Sequence, residues 1–201
     1  MSDEGFTVWF TGVTCSGKST LAAMLRDALT ARGCSCEVLD SGRIRQALNR
    51  SLGFTRDEIA DNLKRIAYEC KLLNRNGVVA IVAAVSPYRD LRDGIRSDVG
   101  RFLEVYCRCP MEVLAKRDKS GLFDKAKRGE LAHVAGVNAP YEEPFKPEVL
   151  INTDTDPPHK GVARIVSTLE ILGYLPKQTS AEYTAEEEAI IRQRLHDLGY
   201  I

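Results

Sequence analysis

The chain has 201 residues, enough for one domain with a buried core. Its 28 basic and 28 acidic side chains cancel, which excludes bulk electrostatic attraction to nucleic acid or to a membrane surface. No apolar run reaches membrane-spanning length, and the acidic start Met1-Ser2-Asp3-Glu4 does not read as a secretion signal, so the expected setting is the cytoplasm. Phe6–Phe10 is apolar and β-rich, and reads as a first strand. Directly after it, Gly12-Val13-Thr14-Cys15-Ser16-Gly17-Lys18-Ser19 fits the pattern G-x-x-x-x-G-K-[ST], and the helical segment Thr20–Arg26 follows. Strand, glycine loop and helix form the arrangement that wraps backbone N–H groups and a helix N-terminus around a phosphate. Gly12 through Thr20 are therefore the expected ATP-binding residues. Lys18 would reach the β- and γ-phosphates, and the Ser19 hydroxyl would bind Mg²⁺.

Strands and helices then alternate. Cys34–Asp40 is a second strand, followed by a short helix over Gly42–Arg50. Thr55-Arg56-Asp57-Glu58 is a capping box, opening a helix with apolar positions at Ile59, Leu63, Ile66, Cys70 and Leu73 and ending at Asn76-Gly77. Val78–Val85 is an unbroken apolar run, as for a parallel strand buried on both faces. Phe102–Cys107 is the next strand, and Pro110 in a first turn opens a helix through Arg117. Lys116–Pro147 is basic, then punctuated by Gly and Pro, and reads as a lid or long loop. Val149–Asn152 is a short last strand and Gly161–Leu172 a closing helix. This order predicts an α/β fold of P-loop NTPase type, a parallel sheet with helices on both faces. Residues 1–176 would be the kinase domain and 177–201 a helical extension, with a capping box at Thr184–Glu187 and a helix over Glu186–Leu198. Leu195–Ile201 echoes Leu169–Leu175, which two helices with the same glycine C-cap explain. The six cysteines lack metal-knuckle or disulfide-framework spacing and read as small buried thiols. His133 and His159 have no partner pattern for a metal.

Further blocks carry a resemblance. Leu39-Asp40 with Arg45, Leu52-Gly53-Phe54, Asn62 with Arg65, Ser86-Pro87-Tyr88-Arg89, Arg117-Asp118, Gly121-Leu122-Phe123, Lys125-Ala126, Gly129-Glu130 and Ala139-Pro140-Tyr141-Glu142 occur in order after the P-loop. Over about residues 6–175 the chain resembles the adenylyl-sulfate kinases, which phosphorylate the 3′-hydroxyl of adenosine 5′-phosphosulfate (APS) to give PAPS. The resemblance implies ATP and Mg²⁺ as donor and cofactor, a nucleotide acceptor, and a homodimer. It implies Lys18, Asp40 and Ser86 as catalytic residues, and Ser19 with Asp40 at the metal. Arg117 would stack on the ATP adenine. Arg45, Phe54, Asn62, Ser86 and Val134 would line the acceptor site.

Each residue also has a plainer reading. Asp40, at the end of its strand, would cap the following helix. Arg45 and Asn62 would be solvated, and Phe54 would sit in the core. The basic run Lys116–Arg128 would be a solvated helix face. The chain also departs from the family pattern on the acceptor side. Asp40-Ser41-Gly42-Arg43 lacks a second acid at Gly42, Ile59 stands where an Arg is expected, and Val134 replaces a Phe. Two other functions therefore stand beside APS phosphorylation: a same-family kinase for another nucleotide or sugar hydroxyl, and a nucleotide-binding regulator without transfer activity.

Overall fold

The structure is a computed structural model, and it describes residues 4–48, 53–177 and 185–201. Five strands, β1 (Thr7–Thr11), β2 (Cys36–Asp40), β3 (Val79–Ala83), β4 (Phe102–Arg108) and β5 (Val149–Asn152), form one parallel sheet in the order β2-β3-β1-β4-β5. The helices are α1 (Lys18–Ala31), α2 (Ser41–Leu48), α3 (Arg56–Arg75), α4 (Arg89–Val99), α5 (Met111–Arg117), α6 (Leu122–Lys127), α7 (Pro158–Ile171) and α8 (Ala185–Asp197).

The two-residue period of the central strands sorts their side chains into two cores. Val8, Phe10, Ile81, Leu103 and Val105 face α1 and α7, where Leu21, Leu25, Leu29, Ile165 and Leu169 meet them. Trp9, Ala80, Val82 and Phe102 face the opposite side, against Leu63, Ile66 and Cys70 of α3 and Ile95 of α4. A third, smaller cluster lies off the sheet: Leu114, Phe123, Ala126 and Val134 pack together, with Val13 and Cys15 of the P-loop against them.

The expected strands are all present: Val149–Asn152 has the expected ends, and no end of the others differs by more than two residues. The capping box is complete: Glu58 N–H reaches the Thr55 hydroxyl, and the Glu58 carboxylate accepts from Thr55 N–H. Pro110 is the N-cap of α5 rather than a first-turn residue, and α7 begins a turn earlier than expected, at Pro158. The lid segment contains one short helix, α6. No element was expected between Val85 and Phe102, yet α4 is there; its polar composition hides an apolar stripe of Leu91, Ile95 and Val99. The cysteine expectation holds for Cys70 and Cys107, whereas Cys15, Cys34, Cys36 and Cys109 are only partly buried; all six thiols are free. Leu52, Arg50 and Thr184 lie outside the described residues.

Candidate active site

The carboxyl ends of the strands form the edge where parallel α/β sheets bind ligands. Between β1 and α1 the P-loop turns tightly. Gly12 has φ 147°, and a Cβ there would meet the Cys107 carbonyl at 2.6 Å and Ser16 Oγ at 2.7 Å, so a side chain has no room. Gly17 at φ 86° is the N-cap of α1. The first amides of α1, at Lys18, Ser19 and Thr20, have no preceding helical turn to accept them, the arrangement that binds anions at a helix N-terminus.

Lys18 is only 8% exposed. Its ammonium donates to the carbonyls of Gly12 and Val13, both at 2.9 Å. Burial lowers its pKa to about 8, against the opposing pull of Cys107, Asp40 and Cys15. A buried ammonium held by the loop's own carbonyls is poised for exchange onto an anionic oxygen, and the cradle suits a polyphosphate. Ser19 Oγ donates to Asp40 Oδ2 at 2.8 Å. Asp40 Oδ1 accepts from the N–H groups of Gly42 (3.0 Å) and Arg43 (3.2 Å). Asp40 therefore caps α2 with one oxygen and faces the P-loop with the other, so both readings of this residue coexist. A hydroxyl and a carboxylate side by side are hard oxygen donors of the kind Mg²⁺ takes alongside phosphate oxygens.

Arg117 closes the other side of the loop. Its guanidinium donates to the Thr153 carbonyl (2.7 Å) and hydroxyl (3.2 Å). With Cys15, Gly17, Thr20, Leu21, Asp156 and Pro158 it lines a cleft of about 240 Å³. A planar cation anchored at the rim of a partly apolar cleft offers a stacking surface for a base.

On the acceptor side, the Arg45 guanidinium lies 4.4 Å from the centre of the Phe54 ring and donates to the Gly53 carbonyl. Phe54 is exposed rather than in the core, and Arg45 is partly buried rather than solvated. Asn62 is 3% exposed, which corrects the expectation of a solvated amide. Arg56 stacks over Tyr88 at 4.8 Å. Val134 is not brought to this group: it is 9% exposed and packs with Leu114, Phe123 and Ala126 inside the lid's own core. Ile59, where a guanidinium was expected, packs against the α3 core.

Ser86 is 2% exposed and has φ 40°, a strained value for a residue with a Cβ. Its hydroxyl accepts from Trp9 Nε1 (3.1 Å) and donates to Thr11 Oγ1 (2.9 Å). Thr11 gives its own proton to the Val85 carbonyl, so Tyr141 donates to Thr11 at 2.9 Å. Every proton in this chain is assigned, and the Ser86 hydroxyl has none left for a ligand. The strained turn leads into Tyr88, whose ring meets Arg56 at the start of α3, and Arg89, whose guanidinium donates to the Glu143 carbonyl at 2.9 Å.

The sequence reading missed Arg92. Its side chain, 2% exposed, donates to Glu104 Oε1 (2.8 Å) and to the carbonyls of Ser86 (2.6 Å) and Glu142 (2.7 Å). A signal was present: Glu104 interrupts the apolar run Phe102–Cys107, and a charge within a buried strand requires a partner.

A parallel sheet with a phosphate-binding loop, a lysine within it and a hydroxyl–carboxylate pair beside it define a P-loop phosphotransferase. A family model described as adenylylsulphate kinase matches residues 4–152, and the chain belongs to that family. It is 41% identical over 177 residues to the adenylyl-sulfate kinase of Rippkaea orientalis, a match spanning 88% of this chain and 98% of that protein. It is 45% identical over 178 residues to a probable bifunctional SAT/APS kinase 2 of Sorangium cellulosum, covering 89% of this chain but only 31% of that longer protein. The structure of Mycobacterium tuberculosis APS kinase CysC, in complex with AMPPNP and APS, superposes with a TM-score of 0.78 at 34% identity, covering 83% of this chain and 98% of that one. Membership of this family makes the chain an ATP-dependent, Mg²⁺-using phosphotransferase, and the reading as a regulator without transfer falls away.

Proposed function

We propose that this protein transfers the γ-phosphoryl group of ATP to the 3′-hydroxyl of APS, giving PAPS and ADP. The observation that carries this reading is the Ser19–Asp40 pair, which joins the P-loop to the start of α2, the helix that sets Arg45 over Phe54. The kinship to a kinase solved with AMPPNP and APS supports it.

The roles follow from the geometry. The P-loop amides and Lys18 hold the β- and γ-phosphates of ATP, and Arg117 covers the adenine in the cleft beside Thr153. Ser19 would hold Mg²⁺ directly and Asp40 would hold it through a bound water, which leaves Oδ2 free to take a proton; the ion would neutralise phosphate charge. The acceptor hydroxyl oxygen bonds to the γ-phosphorus as the bond to the β–γ bridging oxygen breaks. The hydroxyl proton passes to Asp40 Oδ2, the oxygen not committed to the α2 cap. Arg45, Phe54 and Asn62 orient the acceptor. Ser86 acts by shaping the turn before Arg89 rather than by bonding to phosphate. Residues 116–147 form a lid carrying Lys116, Lys119, Lys125 and Lys127 over the triphosphate, where closure excludes water. Residues 1–176 act as the kinase domain, and we place the protein in the cytoplasm as a homodimer.

A second reading rests on Gly42, Ile59 and Val134. The acceptor side has no second acid at Gly42, Ile59 is turned into the core, and Val134 into the lid, so a different nucleotide or sugar hydroxyl would also fit the site. Incubation with ATP, Mg²⁺ and a panel of acceptors, with product masses read directly, separates the two. PAPS formation at the highest kcat/KM is the expected result; faster transfer to another acceptor would establish the second reading.

A further inference from the structure

The C-terminal segment lies beyond the residues matched by the family model, yet it is not an appendage. Leu195 is fully buried and Ile191 nearly so, and Arg194 Nε donates to the Pro147 carbonyl at 2.8 Å. After α8, Gly199 at φ 79° turns the chain, and Tyr200 N–H closes the turn on the Leu195 carbonyl at 3.0 Å. That turn lays the Tyr200 side chain, itself 38% exposed, against Glu148 and Arg96. Its hydroxyl donates to Glu148 Oε1 (2.6 Å) and accepts from Arg96 (2.7 Å).

From Tyr200 an unbroken series of charged contacts runs into the domain. Arg96 grips Glu148 with two nitrogens, at 2.6 and 2.9 Å, and reaches Glu104 at 3.5 Å. Glu148 Oε2 accepts from Glu104 N–H at 2.6 Å. Glu104 in turn holds Arg92, the buried guanidinium that donates to the Ser86 and Glu142 carbonyls. Glu142 N–H donates to the Pro87 carbonyl (2.8 Å), and its carboxylate accepts from Arg89 N–H (2.8 Å). The far end of the series is therefore the turn Ser86–Arg89, whose Tyr88 ring lies under Arg56 two residues after Phe54, and whose Arg89 guanidinium is held by the Glu143 carbonyl and the Phe145 ring.

We infer that Tyr200 is a positioning residue for the acceptor turn, and that the C-terminal segment is the strap that carries it. Two acids and two guanidinium groups share this low-dielectric region, where a hydrogen-bond donor at one acid alters how strongly it holds its other partners. Without the Tyr200 hydroxyl, Glu148 loses its outermost donor and draws Arg96 toward itself and away from Glu104. Glu104 then leans on Arg92, whose hold on the two carbonyls slackens. The consequence falls on acceptor binding first, because among the described residues no hydrogen bond or ion pair joins Lys18 or Arg117 to this series, whose link to β1 is the Ser86–Thr11 hydroxyl pair. The inference rests on the proposed acceptor-side role of residues 86–89.

The test is Tyr200→Phe, which removes one oxygen and keeps the ring, with Tyr200→Ala and wild type alongside. Steady-state kinetics should show KM for APS raised about fivefold in Tyr200→Phe, within the range by which such networks modulate a distant site. KM for ATP and kcat should stay within about twofold. Amide hydrogen exchange in the nucleotide-free protein should quicken at residues 86–92 and 141–143 and stay unchanged in α1. Exchange that quickens uniformly, or not at all, would overturn the strap, as would equal rises in KM for both substrates. If wild type transfers nothing to APS while the local quickening is seen, the acceptor assignment fails and the strap stands.

Discussion

Lys18 carries the clearest residue-scale consequence. Burial favours its neutral amine, so the nucleotide-free protein sheds this proton near pH 8, whereas an ordinary lysine keeps it to about pH 10.4. A bound triphosphate favours the charged form. Nucleotide binding should therefore take up protons above pH 8, and affinity should fall as pH rises through that value. Titration calorimetry in buffers of different ionisation heat, at about pH 8.5, reads the proton count directly; zero uptake would show that Lys18 is already charged in the free protein. By the same linkage, the nucleotide-free fold gains stability from this group as pH climbs from about 8 to about 10.4, because the unfolded chain still binds the proton there. Lys18→Ala should leave the fold intact and abolish transfer. Asp40 makes a complementary case. Asp40→Asn keeps an oxygen for the Gly42 and Arg43 amides, so the cap of α2 survives, but the charge facing Ser19 is gone. A fall in kcat of about 100-fold or more is expected, with urea midpoints near wild type. An unchanged kcat would move the proton acceptor elsewhere.

At the scale of elements, the capping box of α3 does more than start a helix. The Glu58 carboxylate also accepts from Gly53 N–H at 2.9 Å, and Arg45 holds the Gly53 carbonyl, so the cap ties down the residues around Phe54. Thr55→Ala should cost about 1 kcal/mol in urea unfolding and raise KM for the acceptor, while Thr55→Ser should do neither. Elements of this kind are legible in a sequence because their causes are local: a cap, a glycine with positive φ, a two-residue alternation. The echo between Leu169–Leu175 and Leu195–Ile201 is such a case, since Tyr174 and Tyr200 close the same backbone turn onto Leu169 and Leu195. The phosphate side of the site was legible for the same reason, lying within one continuous loop. The acceptor side was not, because it depends on which way a side chain faces. Val134 and Ile59 have the right sequence positions but spend their surface on apolar packing. The proton chain through Ser86 joins β1, the end of β3 and Tyr141, residues far apart in the chain, and no spacing rule reaches it. Helix α4 escaped notice because its buried arginine made an inward face look solvated.

The whole molecule has two cores on the sheet and a third off it, and this division bears on how the enzyme closes. The sheet cores are continuous with the main helices and set global stability. The third core, Leu114, Phe123, Ala126 and Val134, belongs to α5, α6 and the lid segment, and it touches the phosphate loop through Val13 and Cys15. Asp118 pins its start by accepting from Ser120 and from Phe123 N–H at 2.9 Å, and Asn138 staples its end to Val134, Ala126 and Leu131. A small cluster with its own local pins opens at lower free energy than the sheet it leans on. Phe123 is its fully buried aromatic. Phe123→Ala would cost about 3–5 kcal/mol if that loss fell on the whole fold. On the proposal that residues 116–147 act as a lid, most of the loss should appear locally instead. The expected signature is faster hydrogen exchange over 118–147, weaker protection of that segment by ATP with Mg²⁺, and a kcat/KM for ATP reduced at least about tenfold. The main unfolding transition should shift by much less than the local change. A full shift of that transition, with lid exchange unaltered relative to the sheet, would mean that the third core is part of the global fold and that closure must arise elsewhere.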